Sequence, residues 1–267
     1  MSSRSWPVGV ERMAEFLVVP ALLAYGEAAF AYAGELRGPG LAGRLATWGV
    51  RLGWLAQTAL LVGQGLSADG FPWGTWAGAL NLFVWLVVGA YLIWGCTPRF
   101  RLLGLTVMPL AVALLALAWA GGGTAFDEGD RSGVMLAAHA VLMLAGFAGL
   151  TLAAGMAALY LWQERRLKRH ERRVLRVRMP PLDALDRIAA RTVLGALVVL
   201  TVGIGVGAAS FERGDFDATM AVTFLILATY AGLLVVRHEG WRGRRSALLN
   251  LAGFALVAVV LPITHFA

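Results

Sequence analysis

Four histidines, His139, His170, His238 and His265, have the broadest chemical reach in this sequence. An imidazole moves protons near neutral pH and offers a neutral nitrogen to a metal. The one cysteine, Cys96, allows no internal disulfide, no CxxC redox pair and no CxxCH attachment motif. No GxSxG, HExxH, Walker or Rossmann fingerprint stands in a credible context, so no catalytic residue is assigned. What the histidines can do depends on which of them the fold brings to one place.

The elements that position them are membrane spans. The chain has 267 residues, of which 59% are hydrophobic and only 15% charged, and its mean hydropathy is +0.70. Soluble domains carry about a quarter charged residues. Several apolar runs reach the roughly 20 residues that cross a bilayer. The sequence predicts an all-α, polytopic membrane protein with one transmembrane domain over 1–267. Its eight spans fall at about 13–34, 46–66, 75–96, 102–120, 133–162, 191–210, 217–236 and 246–265. Span 5 and its continuation, residues 133–191, organise the chain: an apolar helix with His139 near its start runs into an arginine-rich segment, a basic cytoplasmic loop over 163–190. The N-terminal MSSRSWPVGVERMAEF lacks a signal peptide's short apolar core and cleavage site, so the first helix is expected to remain as an anchor. No alternating ten-residue strands of an outer-membrane barrel occur.

Loop charges support this count. Loops after spans 1, 3, 5 and 7 hold Arg37 and Arg44, Arg99 and Arg101, ten Arg or Lys between 165 and 191, and Arg237, Arg242, Arg244 and Arg245. Loops after spans 2, 4 and 6 hold Asp69, then Asp127, Glu128 and Asp130, then Glu212, Asp215 and Asp217, opposed only by Arg131 and Arg213. The positive-inside rule then puts both termini outside a bacterial cytoplasmic membrane. The net charge of +7 belongs to this loop bias and calls for no nucleic acid. Small residues in AGFAGLTLAAGMAA and GIGVGAAS allow close helix packing, and Trp73, Trp76, Trp94 and Trp241 stand near span ends as interfacial anchors.

With this topology His139, at the outer end of span 5, and His265, at the outer end of span 8, share one depth and one side. His170 and His238 fall at the inner side. A low-spin haem iron takes two axial ligands, and helices of one bundle can present two imidazoles to a porphyrin. The plainer alternative is that each imidazole only hydrogen-bonds at the interface. The outer loop SFERGDFDATM adds Phe211 and Phe216, able to stack on a flat ligand, and Arg213, able to pair with a propionate; it also reads as an ordinary acidic turn. Glu27 and Arg51, at similar depth in spans 1 and 2, could form an intramembrane ion pair, structural or functional. Pro109 and Pro262 are expected kinks, the latter three residues before His265. MPPLDALDR at 179–187 reads as a rigid turn with Asp183 as a helix cap.

Several stretches together resemble one family, the membrane haem-handling proteins of cytochrome c assembly, of the CcsA/ResC and HemX types. These are His139 with its helix, YLWQERRLKR (160–169), PPLDALDRIAARTVLGALVVLTVGIGVGA (180–208), GWRGRRSALLNLAGFALV (240–257), and span 3 with LGLTVMPLAVALLALA (103–118). The similarity runs from about residue 10 to the C-terminus.

The resemblance implies haem b, held non-covalently at the outer face. His139 and His265 would be its iron ligands, with Phe211, Arg213, Phe216 and Asp217 beside it. Where the family carries a tryptophan-rich loop ending in a WDPKE-like run, this chain reads FDATM, with Phe216 for the tryptophan and Asp217 kept. Some relatives carry a histidine in span 2, where this chain has Gln57. These departures move the expectation from a complete synthase to at most an accessory subunit of a cytochrome c haem lyase. The alternative is a HemX-like regulator or adaptor. It would act through the basic loop on control of haem synthesis, or as a structural subunit. Membrane lipid and a protein partner, a cytochrome c assembly component or a haem-synthesis enzyme, are implied.

Overall fold

The computed structural model describes residues 8–35, 41–68, 70–95, 101–126, 133–169, 180–210 and 218–266. Among them are eight α-helices and no strand: α1 (Val8–Glu35), α2 (Leu41–Ser67), α3 (Trp76–Gly95), α4 (Gly104–Ala120), α5 (Val134–Lys168), α6 (Leu182–Ser210), α7 (Ala218–His238) and α8 (Arg244–Phe266). A helix is the form in which an apolar run satisfies its own backbone groups without water. Among the described residues five helical segments are long and apolar enough to cross a membrane: Phe16–Gly34, Trp76–Ile93, Val134–Lys168, Leu182–Ala209 and Met220–His238. Helix α4 is apolar but shorter, at 17 residues. Helix α2 carries Arg44, Arg51, Gln57 and Gln64, which lower its hydropathy.

The basic segment is more helical than its charge indicates. Helix α5 continues past residue 162 to Lys168, and α6 starts at Leu182 rather than near 191. Glu164 and Lys168 pair at 2.8 Å one turn apart, and Asp183 pairs likewise with Arg187, so both extensions carry their own (i, i+4) support. With 35 residues, α5 is roughly 52 Å long at 1.5 Å per residue, against a hydrocarbon core of about 30 Å. Its basic last turns therefore extend beyond the apolar layer.

The contacts gather into two units, Met1–Gly133 and Val134–Ala267. In the first, α1 packs on α2 and α4, and α3 on α4 and α2. Tyr32 and Tyr91 are fully buried there, their hydroxyls 3.0 Å apart, and Tyr32 lies so close to Gly104 that a methyl on that glycine would come within 2.4 Å of its ring. In the second unit α5 packs along α6 and α8, and α7 on α8 and α6. The α5–α6 seam is built on small residues, as the sequence pattern indicates. A Cβ on Gly146 would strike Leu200, and one on Gly149 would strike Ala196. The turn between α7 and α8 needs glycine twice, at Gly240 (φ 106°) and Gly243 (φ 71°).

Candidate functional site

His139 sits in the second turn of α5, half-buried against α6. Its Nδ1 is 2.7 Å from the carbonyl oxygen of Gly203. A carbonyl only accepts, so Nδ1 carries the proton, and in the neutral imidazole Nε2 is then the lone-pair nitrogen. The ring fits because Gly207 lacks a side chain. A methyl on Gly207 would stand 2.5 Å from Nδ1, and one on Gly203 would meet Leu142 and Met143 at 3.2 Å. The GIGVG run of α6 is thus a seat for this imidazole as well as a packing surface.

The opposite ends of α5 and α8 fix their relative direction. Arg244 at the start of α8 lies 3.9 Å from Glu164 near the end of α5, and Ala157, Leu161 and Ala247 pack together beside them. The helices are therefore antiparallel. From that end, His139 lies roughly 37 Å up α5, and residue 265 roughly 32 Å up α8, at 1.5 Å per residue. Residue 265 falls in the last turn of α8. The side chain of His265, and all of Phe211, Arg213, Phe216 and Asp217, lie outside the described residues, as does His170. His238 is exposed at the end of α7. Among the described residues no group of three or more His, Cys, Asp or Glu could hold a metal ion.

At the other end of this unit is an ion pair that the sequence alone did not disclose. Asp186 of α6 accepts from Arg237 of α7 at 2.6 Å, their side chains 8% and 15% exposed. Arg237 also reaches Ser246 Oγ at 3.3 Å, and the Gly243 amide donates to Asp186 at 3.3 Å. Asp183 lies inside the first turn of α6, paired with Arg187. The available signal was topological: Asp186 and Arg237 both belong to the basic side.

The first unit contains a buried amide network, which gives Gln57 and Gln64 a definite role. Tyr25 donates to Gln57 Oε1 at 2.9 Å; Gln57 Nε2 donates to the Asn81 carbonyl at 3.0 Å and to Asn81 Oδ1 at 2.9 Å. Asn81 Nδ2 donates to Gln64 Oε1 and the Gly123 carbonyl, both at 3.3 Å. Gln64 Nε2 donates to Ala125 O at 2.8 Å and Gly123 O at 3.2 Å, and Trp73 Nε1 donates to Gln64 Oε1 at 3.1 Å. Trp73 is therefore tied into the bundle rather than serving only as an interfacial anchor. Arg51 stacks over the Trp48 ring at 4.8 Å, and Glu27 is exposed on α1. Among the described residues Glu27 is in no ion pair, so the expected Glu27–Arg51 bridge is not formed.

Residues 73–263 match the family model described as cytochrome C assembly protein. The chain belongs to the cytochrome c assembly protein family. It is 25% identical over 214 residues to Protein HemX of Brevibacillus brevis, covering 77% of this chain and 79% of that protein. It is also 25% identical over 275 residues to the cytochrome c biogenesis protein CcsA of Microcystis aeruginosa, covering 80% of this chain and 82% of the relative. No solved structure matches it. The family match includes His139 with its Gly203 and Gly207 seat and the Asp186–Arg237 pair, and it ends two residues before His265. It begins at Trp73, so Gln57 and Gln64 lie outside it while Asn81, their shared partner, lies within.

Proposed function

We propose that this cytochrome c assembly family member holds or delivers haem b at the outer face of a bacterial cytoplasmic membrane, with His139 and His265 as the iron ligands. The observation that carries the reading is the His139 Nδ1–H···O=C bond to Gly203 at 2.7 Å. Metal-binding histidines usually donate their other ring N–H to a carbonyl or carboxylate, which fixes the tautomer and raises ligand basicity. The donor chemistry of His139 therefore fits an axial ligand. His265 would supply the second imidazole, with Phe211 and Phe216 against the ring, Arg213 at a propionate and Asp217 beside them. Bound haem would supply an iron centre that is handed on, with no bond of a substrate made or broken by this chain. The residues' work is to orient the imidazole, shield it against α6 and fix its proton on Nδ1.

Loop charge orients the unit in this reading. The Arg-rich end of α5 and the start of α8 face the cytoplasm, and His139 faces outward. A protein partner, another assembly component or a haem-synthesis enzyme, would supply or receive the haem. The test is the absorption spectrum of protein freshly extracted in mild detergent, beside the His139→Ala/His265→Ala double variant. A Soret band in the parent that is lost in the variant is expected. A parent without haem after reconstitution, or a variant with the parent's spectrum, removes the ligand assignment.

A further inference from the structure

The end of the second unit remote from His139 carries a dense group of exposed cations: Arg165 and Lys168 on α5, Arg169 just after it, and Arg242, Arg244 and Arg245 around the start of α8. Of the nearby acids Glu164 and Asp186 are already engaged, and only Glu239, exposed in the α7–α8 turn, is in no ion pair among the described residues. Glu164 holds Lys168 at 2.8 Å and faces Arg244 at 3.9 Å, and Asp186 is held by Arg237. Positive charge is therefore in local excess among the described residues.

Two guanidinium groups here lie over indoles. Arg245 lies over Trp241 at 5.2 Å, and on the adjoining α5 Arg166 lies over Trp162 at 4.3 Å. A guanidinium over an indole face still has N–H donors in its own plane to offer a phosphate oxygen. Trp241 is 45% exposed, and indoles favour the headgroup level of a bilayer. One turn further along α8 the surface changes character. Leu248 and Leu249, 46% and 39% exposed, follow Arg244 and Arg245 on the same faces. Indole and cations thus stand together at the start of the helix, with apolar side chains one turn further along it.

We propose that this corner is a binding site for one anionic phospholipid of the cytoplasmic leaflet. Arg244 and Arg245 hold its phosphodiester with Trp241 beside them at the headgroup level, and Leu248 and Leu249 face its acyl chains. Charge complementarity selects an anion, and the adjoining leucines select a lipid over an acidic segment of a soluble protein, which would leave them uncovered. The site does not depend on the haem reading.

Native mass spectrometry of the full chain in mild detergent tests this, with phosphatidylglycerol, phosphatidylcholine and inorganic phosphate as probes. Phosphatidylglycerol is expected to be retained in preference to phosphatidylcholine. The R244Q/R245Q variant should weaken its retention about 30-fold and leave phosphatidylcholine unchanged, taking roughly a fivefold factor per cation. Arg187→Gln, at an exposed α6 arginine paired with Asp183, should keep the preference, and circular dichroism of each variant checks that the helices persist. Equal retention of the two lipids, a preference that survives R244Q/R245Q, or displacement by millimolar inorganic phosphate overturns the proposal. A bound acidic protein that phosphatidylglycerol does not displace also overturns it.

Discussion

Gly207 lies under the imidazole of His139 so closely that a methyl group on it would stand 2.5 Å from Nδ1 and 2.7 Å from Cε1. Gly207→Ala must therefore push the ring away from the Gly203 carbonyl or push α6 away from α5. Overpacking of this kind costs about 1–3 kcal/mol. Thermal unfolding in detergent should show that loss, and the reconstituted Soret band should weaken or shift. Gly205→Ala is the control, since nothing lies within 4 Å of its added Cβ. It should leave the spectrum intact and gain up to about 1 kcal/mol from helix propensity. Equal behaviour of the two variants would show that the seat does not constrain His139.

Asp186 and Arg237 join α6 to α7 at the basic end, with little exposure on either side. Removing one partner leaves a poorly solvated charge, which costs about 3 kcal/mol or more. Asp186→Ala should lower the unfolding midpoint sharply, and so should Arg237→Ala. The double replacement Asp186→Leu/Arg237→Met should recover most of the loss, because it strands neither charge. Additive losses in the double variant would mean that the two residues act separately.

How much of the structure is legible in the sequence depends on the range of the interaction. Apolar run length and loop charge are local quantities, and they place the helices to within a few residues at most ends. The differences come at the starts of α1 and α2, each five residues earlier than expected, and at α5 and α6, where a polar extension stays helical through (i, i+4) pairs. His139 is identifiable as a candidate from its residue type and its depth. Its partner, the carbonyl of Gly203, is not, because every residue carries a carbonyl and only the α5–α6 packing selects one. Gln57 and Gln64 stand out as polar residues in an apolar run, yet Asn81 and Trp73 acquire meaning only once α2 and α3 lie side by side.

Gln64 is the junction of the first unit's network, since its amide receives Trp73 and Asn81 and donates to two carbonyls. Gln64→Leu deprives the Trp73 N–H and the Ala125 carbonyl of the partner each has in Gln64. Both bonds are part-buried, and each such hydrogen bond contributes about 1 kcal/mol, so a loss of about 2 kcal/mol is expected. Tyr25→Phe removes a single donor, from Gln57 Oε1, and should cost about 1 kcal/mol. Chemical denaturation in mixed micelles ranks the two. A Tyr25→Phe loss as large as that of Gln64→Leu would place the junction elsewhere.

Glu27 offers the opposite case, a charged side chain inside an apolar span that the described residues leave unpaired. A carboxylate at the centre of a span costs about 2.5–3.5 kcal/mol by insertion scales, less toward the ends, and pairing is what normally offsets that cost. Glu27→Gln removes the charge with little change in volume. If the fold of the isolated chain gains nothing from the carboxylate, the variant should be as stable as the parent or more stable, by up to about 2 kcal/mol. The readout is the unfolding midpoint of parent and variant in the same detergent, with Arg51→Gln alongside. Arg51 keeps its contact with Trp48 whatever happens at Glu27, so the two substitutions should be additive. A loss of more than about 1 kcal/mol in Glu27→Gln, or strong coupling to Arg51→Gln, would restore the ion pair that the sequence spacing invites.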